Sequence, residues 1–387
     1  MLKKICLLTN YNQYESKRYF TEKLVEAMER QGIKTKVVDA QETTLNAEVI
    51  KSIHKFAPDI TCSFSSFVDA GQSLWDILRI PHISFLVDPA FYSTSLTNSP
   101  YSIISCVDRN DCEVILSNNF KKVFFWPHAV EKELASDKGA KKDYDVVFLG
   151  SCYDYESFRD SWRKRFPTPI GKILEDAAEL VFNNDTISLA EALVSAWNNS
   201  GLDPAEVDFL LLYFYLDNYT RGKDRVELIR SIKSANVHIF GGSAEDNALS
   251  IKGWTHYLGS QSNVTIHPPS LFNEGLEILK RSKIVLNSMP FFRNGTHERI
   301  FAGLACGCLP VTSESKYLRE QFKADEEIVF YQAKHREKMN EQIDYWLAHE
   351  KERQHAVEQG RKKVMKHHTW DVRVEELKKI VPELLKK

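Results

Sequence analysis

The chain has 387 residues, 43% of them hydrophobic and 27% charged, with a formal net charge of -2. At roughly 150 residues per domain this length implies two or three domains, and the composition is that of a folded chain rather than a disordered one. The near-neutral balance gives no electrostatic footprint for nucleic acid, so that partner class is set aside.

The first apolar run, Ile5 to Thr9, has the length of a strand and stops at Asn10. A secretory leader needs a longer apolar region and a small-residue cleavage site. No stretch approaches the roughly 18 apolar residues of a membrane span. The most apolar run, Phe209 to Leu216, is far shorter. These features predict a cytoplasmic protein. The seven cysteines agree with this: Cys6, Cys62, Cys106, Cys152 and Cys306 lie in or beside apolar segments, as small core residues do. No CxxC occurs, and Cys306-Gly307-Cys308 is too closely spaced for a zinc pair.

After the first strand, Ser16 to Gln31 reads as a helix with Phe20, Leu24, Val25 and Met28 on one face and Gly32 as its stop. Thr35 to Val38 is a strand, and Ala47 to Phe56 a helix closed by Pro58. Ile60 to Phe64, His82 to Val87, Ser102 to Cys106 and Val123 to Trp126 are strand-like. Glu131 to Lys142 reads as a linker. A second alternating set opens at Asp145 to Gly150 and continues at Val237 to Phe240, Val264 to Ile266, Ile284 to Asn287, Leu309 to Thr312 and Ile328 to Tyr331. Strands separated by helices point to parallel sheets with right-handed crossovers. Residues 170–232 read as a helical insertion, and the tail from Asn340 as two or three amphipathic helices. The expected α/β architecture is therefore two doubly wound, Rossmann-like domains facing a cleft, over residues 1–135 and 143–370. A helix over 371–387 is expected to pack back on the first domain. Such domains bind ligands at the carboxyl ends of their strands.

The most informative segment runs from Ile284 to Thr312: strand, loop, helix, tight turn, strand. A helix opening at about Gly295 presents unpartnered backbone N–H groups and its dipole to an anion, which suits a phosphate. Gly295 permits close approach, the Thr296 hydroxyl adds a donor, and Arg293 or Arg299 adds charge. Gly303 and Ala305 let the helix pack closely, and Gly307 ends it. The same spacing also suits an ordinary strand–helix–strand unit whose glycines serve only turns.

This segment resembles the donor-site block of the GT-B glycosyltransferases, specifically the CgeB-like (spore-maturation) family. Further blocks follow in order: Asp145 to Ser151 with Arg159 behind it, Val237 to Gly242, Arg299 to Gly307, Glu326 to Tyr331, and His368-Thr369-Trp370-Asp371-Val372-Arg373. Pro81 to Pro89 and Trp126 to Val130 match more weakly. The resemblance implies transfer of a hexose from a nucleotide-diphosphate sugar, UDP-linked by preference and GDP-linked as the second choice, to a saccharide, protein or other acceptor. It implies no metal or other cofactor. Many retaining GT-B enzymes carry two glutamates eight positions apart around the helix; here those positions are Asn294 and Ala302. Glu298, one turn before Ala302, is the substitute for the ribose contact.

On this reading the donor is held by Ser151, Arg159, Gly241, Gly242, His267, Arg293, Asn294, Gly295, Thr296, His297 and Glu298. Asp88 and His128 are the catalytic candidates, Asp88 as base or sugar ligand and turn-capping its alternative. Asn10, Tyr11 and Asn12 face the acceptor. Two other readings use the same fold: a nucleotide-sugar epimerase or hydrolase, and an inactive nucleotide-sugar-binding protein. A dehydrogenase is disfavoured because Asn10-Tyr11-Asn12-Gln13-Tyr14 stands where GxGxxG is required.

Overall fold

The structure, a computed structural model, describes residues 2–39, 47–64, 68–69, 72–136, 141–203, 208–243, 249 and 251–386. It divides into two compact units. One comprises Met1–Ser136, Leu271–Asn273 and Lys363–Lys387; the other comprises Asp137–Ser270 and Glu274–Lys362.

The first unit opens with β1 (Lys4–Thr9), α1 (Ser16–Arg30), β2 (Lys34–Asp39), α2 (Ala47–Phe56) and β3 (Ile60–Ser63). A short antiparallel pair, β4 (Val68–Asp69) and β5 (Gln72–Ser73), precedes α3 (Leu74–Leu78). Then come β6 (His82–Leu86), β7 (Ser102–Cys106), α4 (Arg109–Ser117) and β8 (Val123–Phe125). Its sheet has the order β2-β1-β3-β6-β7-β8, every pair parallel.

The second unit begins at β9 (Tyr144–Leu149). Four helices follow before the next strand: α5 (Tyr155–Arg165), α6 (Thr168–Asn183), α7 (Leu189–Ser200) and α8 (Phe209–Arg230). Then come β10 (Val237–Phe240), α9 (Trp254–Leu258), β11 (Val264–His267), α10 (Phe272–Lys280), β12 (Ser282–Asn287), α11 (Glu298–Ala305), β13 (Leu309–Ser313), α12 (Lys316–Gln321) and β14 (Val329–Tyr331). The chain ends in α13 (Met339–Ala348), α14 (Glu350–His367) and α15 (Trp370–Leu384). The second sheet has the order β11-β10-β9-β12-β13-β14, again all parallel.

Alternation along each strand builds the layers. In β1, Ile5 and Leu7 join Phe20, Leu24 and Met28 of α1 on one face, while Cys6 and Leu8 join α2, α3 and α4 on the other. Trp370, Val374, Leu377 and Val381 of α15 complete the first of these layers. In the second unit, Val146 and Phe148 of β9 pack with Val226, Leu228 and Ile229 of α8. That contact revises the helical insertion expected over 170–232. The first turns of α8, rich in Phe and Leu, continue into the crossover helix that covers the sheet, so only α5 to α7 are additional to a strand–helix–strand unit. The expected linker holds a short 3-10 turn at Lys132–Ser136; residues 137–140 of it lie outside the described residues.

Candidate functional site

In the second sheet the chain leaves the first strand, β9, towards β10 on one side and later returns to β12 on the other. This reversal is the topological switch point at which doubly wound sheets bind ligands, outside the carboxyl ends of the strands. β9 leads into Gly150 and Ser151 there, and β12 ends at Asn287.

Gly150 has φ 151, a conformation that a side chain resists. A Cβ at this residue would lie 3.4 Å from the Phe148 ring, 3.5 Å from Arg299 Nη2 and 3.8 Å from Arg225 Nη1. The missing side chain thus leaves a small cradle between the Phe148 ring and two guanidiniums. Arg299, in the first turn of α11, donates through Nη1 to Asn287 Oδ1 at 2.8 Å. Arg225, on α8, donates through Nη1 to the Ser151 carbonyl at 2.6 Å and lies 4.8 Å from the Tyr153 ring centroid. Arg225 is 5% exposed, and among the described residues it has no carboxylate partner and its Nε no hydrogen-bond partner. A buried cation left in that state is costly unless an anion joins it. Arg225 escaped the sequence reading because it lies within a long helix far from the glycine-bearing loop.

The loop that carried the sequence argument is placed differently from expectation. α11 opens at Glu298, not Gly295, and its N-cap is His297. The Gly295 carbonyl accepts from Ser315 Oγ at 2.7 Å, and the fully buried Thr296 hydroxyl turns to the His297 carbonyl at 3.3 Å. The amides of Gly295 and Thr296 therefore precede the helix and are not its terminal donors. His297 Nδ1 lies 2.8 Å from Glu298 Oε2 and 3.5 Å from the Arg299 amide nitrogen. Burial holds the His297 imidazole below the usual histidine range; Arg299 and Arg225 push the same way, and Glu298 opposes them.

Two arginines expected at the donor are engaged elsewhere. Arg293 is 2% exposed, donates through Nη2 to the Val181 carbonyl at 3.0 Å and lies 3.6 Å from Asp185, tying the loop to α6. Arg159 faces outward from α5, 3.7 Å from Glu175 and 44% exposed. Asn294 is buried, as is Ala302 on α11.

Asp224, the neighbour of Arg225, anchors the same loop from below. Its Oδ2 accepts from Ser288 Oγ at 2.5 Å and from Tyr331 OH at 2.8 Å, and its Oδ1 pairs with Arg336. Burial alone would raise this carboxyl, but Arg336 and the Ser288 and Tyr331 hydroxyls overcome it and hold the group below the usual carboxylate range.

At the carboxyl ends of β10 and β11, Gly241 is required by packing. A Cβ there would fall 2.0 Å from the Gly150 carbonyl, where the ends of β9 and β10 approach. Gly242 is open by comparison, its nearest neighbour being Pro269 at 4.0 Å. His267 stacks on Phe240 with centroids 4.3 Å apart, and its Nε2 is 2.9 Å from His238 Nδ1. Burial lowers the His267 imidazole.

In the first unit, Asn10, Tyr11 and Asn12 follow β1 at that sheet's carboxyl edge. The Asn12 side chain is taken up locally: Oδ1 accepts from the Lys17 amide at 2.9 Å and Nδ2 donates to Ser16 Oγ at 2.9 Å. Tyr14 and Glu15 follow with φ of 71 and 57, strain that suits a functional loop. Tyr11 is half exposed and Asp88 exposed, beyond the end of β6. His128 is 4% exposed, with its ring 5.8 Å from that of Phe20. The stretch from His368 to Arg373 is a clamp. Thr369 caps α15, and Arg373 donates to the Pro127 carbonyl at 2.8 Å and to the His128 carbonyl at 3.2 Å.

Comparison with known proteins places this geometry. Residues 223–379 match the family model described as "Glycosyl transferase-like". A protein of Aquifex aeolicus is 21% identical over 349 residues, covering 82% of this chain and 85% of its own. Among solved structures, sucrose-phosphate synthase from Thermosynechococcus elongatus superimposes with a TM-score of 0.60 at 9% identity, covering 99% of each chain. Anabaena HepE in complex with UDP-glucose superimposes with a TM-score of 0.56 at 10% identity, covering 99% of this chain and 100% of its own. The chain has the GT-B fold, and residues 223–379 are similar to the glycosyl transferase-like family.

Proposed function

We propose that this protein is a glycosyltransferase that moves a sugar from a nucleotide-diphosphate donor, a UDP-sugar first, to an acceptor hydroxyl. The observation that carries the reading is the cradle above Gly150, at the switch point and between Arg225 and Arg299. A leaving diphosphate gains negative charge as the glycosidic bond breaks, and fixed cations in a poorly hydrated site stabilise it. Two guanidiniums supply that charge without a metal ion. HepE, which shares the fold, was solved with UDP-glucose, which supports the choice of nucleotide.

Within this reading the diphosphate contacts Gly150, Ser151, Arg225, Arg299 and His297. Glu298 takes the ribose, and the base lies towards Gly242 and His267. Asn10, Tyr11 and Asp88 mark the acceptor chemistry on the first unit's sheet edge, Asp88 as base in an inverting reaction or as sugar ligand in a retaining one. The finer CgeB-like relationship and a cytoplasmic location belong to the same proposal.

Thermal stabilisation by UDP-, GDP- and ADP-sugars tests donor binding, and nucleotide release with and without candidate acceptors tests transfer. Acceptor-dependent release is the expected result. Epimer formation without release would make the protein an epimerase, and binding without turnover an inactive sensor. Stabilisation by none of the three would sink the donor assignment.

A further inference from the structure

The register of the parallel pair sets Asn287, the last residue of β12, directly beside Thr312 of β13, and both are fully buried. A guanidinium can only donate, so the side-chain oxygen of Asn287 faces Arg299 and accepts from its Nη1 at 2.8 Å. The other end of the amide donates through Nδ2 to Thr312 Oγ1 at 2.9 Å, and the Thr312 hydroxyl donates to the Ser313 carbonyl at 3.2 Å. The row runs in one consistent direction, which fixes the amide in a single orientation. Its effect reaches the cradle. Arg299 Nη2 lies 3.5 Å from where a Gly150 Cβ would stand, and the guanidinium carbon 5.7 Å from the Phe148 ring centroid. Arg225, the second guanidinium there, is likewise held by a neutral oxygen, the Ser151 carbonyl at 2.6 Å.

We propose that Asn287 is a positioning residue for donor binding: its neutral oxygen aims Arg299 into the cradle and leaves the charge of that cation to the donor diphosphate. The proposal rests on the donor reading above. An aspartate has nearly the same size and shape and would hold Arg299 in the same place. Its carboxylate would also pair with the guanidinium across the 2.8 Å contact. It would set a negative charge beside the incoming phosphates, and in a poorly hydrated site such charges interact strongly. An amide oxygen supplies direction without that charge. Thr312 completes the arrangement by keeping the NH2 end of the amide away from Arg299. Position 287 therefore separates two properties that most substitutions change together, stability of the fold and attraction for an anion.

Asn287→Asp and Asn287→Ala divide the alternatives. Alanine removes the acceptor of Arg299 and leaves a cavity. Aspartate keeps both contacts, since the Thr312 hydroxyl can turn to donate to it. Asn287→Asp is expected to melt at a higher temperature than Asn287→Ala, yet to bind UDP-glucose more weakly than that variant does, about tenfold or more below the wild type. UDP adds a second readout. Above neutral pH its terminal phosphate carries more negative charge than the esterified diphosphate of UDP-glucose, so the aspartate should weaken UDP several-fold more than it weakens UDP-glucose. Thermal melts and calorimetric titrations with both ligands at mildly alkaline pH measure these effects. A merely structural residue would rank the variants alike in stability and in affinity and would shift both ligands equally. Either result overturns the proposal and leaves the donor site standing, as does wild-type affinity in Asn287→Asp. Thr312→Val keeps the β-branched shape on β13 and tests the same arrangement if the aspartate variant does not fold. It is expected to bind UDP-glucose several-fold more weakly, and wild-type affinity there would overturn the proposal. Binding of neither ligand by the wild type would remove the donor reading and this proposal together.

Discussion

Asp224 accepts a hydrogen bond from Ser288 at 2.5 Å, which joins the helix carrying Arg225 to the loop that follows β12. The same carboxylate also receives Tyr331 from β14 and pairs with Arg336. One buried anion thus fixes three elements around the switch point. Removing it takes the acceptor from the buried Ser288 and Tyr331 hydroxyls, while Arg336 keeps Glu227 at 2.8 Å as a second carboxylate partner. Asp224→Ala is expected to lose about 1–3 kcal/mol of stability, the cost of buried polar groups left unpaired. Asp224→Ala with Arg336→Ala is expected to lose less than the sum of the two single changes, because both remove the same ion pair. Urea denaturation of the four proteins checks this; strict additivity would show that the two residues are not coupled.

The donor assignment makes a paired prediction on arginines. Arg225→Met is expected to weaken UDP-glucose binding about 30-fold, or ~2 kcal/mol, the worth of a charge-assisted contact to phosphate. Its melting temperature should fall only modestly, because the variant loses the hydrogen bond to the Ser151 carbonyl but strands no carboxylate among the described residues. Arg159→Ala should leave affinity unchanged, since that side chain, 44% exposed, points from α5 to Glu175 of α6. Calorimetry decides: wild-type affinity in the Arg225 variant, or a large loss in the Arg159 variant, would move the phosphate site away from Gly150.

Much of the architecture was legible because the parallel strands read as short runs rich in apolar residues, continuous where both faces are buried, as in β13 and β14, and alternating at β10. The site was less legible. Asn294-Gly295-Thr296 has the composition of a helix start, yet the loop's hydrogen bonds go to Ser315 and to the His297 carbonyl, and a histidine takes the cap. Histidine is a weak cap by preference, so propensity pointed three residues too early. Arg293 lies beside the glycine in sequence but turns to the Val181 carbonyl, whereas Arg225 reaches the cradle across the sheet's switch point. Sequence proximity pointed to Arg293 and not to Arg225 because a crossover connection brings together residues that spacing cannot relate. The signal for Arg225 is a basic residue on the buried face of a core-packed helix, visible only once the face is known.

Adjacent glycines separate structure from binding. Gly241→Ala would place a methyl group 2.0 Å from the Gly150 carbonyl, a clash of backbone against carbon that no rotamer relieves. It is expected to unfold the protein or to lower its melting temperature sharply. Gly242→Ala meets only Pro269 at 4.0 Å and should fold normally, with any effect confined to nucleotide binding. Circular dichroism melts followed by UDP-glucose titration test the contrast. Equal stability of the two variants would contradict the close approach of β9 and β10.

Acid should destabilise the fold through histidines that are buried neutral. His82 is fully buried, accepts or donates to Thr61 Oγ1 at 2.8 Å and Ser63 Oγ at 3.0 Å, and stacks on Trp75 with centroids 4.0 Å apart. Burial lowers it to about 3. His368 is lowered to about 3 as well, first by burial and then by Arg373, whose Nη2 donates to its Nδ1 at 2.8 Å. The sign follows from where the proton goes. Below a pKa of about 6.5 the unfolded chain protonates these imidazoles and the folded one does not. Stability therefore falls as pH drops from about 6.5 towards 3, by up to ~1.4 kcal/mol per pH unit for each such histidine. His82→Gln is expected to be less stable than wild type at neutral pH, because it loses the stack on Trp75. Its stability should nonetheless fall less steeply between about pH 6 and pH 5, since one proton fewer is taken up on unfolding. Urea midpoints across that interval measure the slope. An unchanged slope would mean that His82 already exchanges its proton in the folded state, and that its polar pocket between Thr61 and Ser63 opens to water.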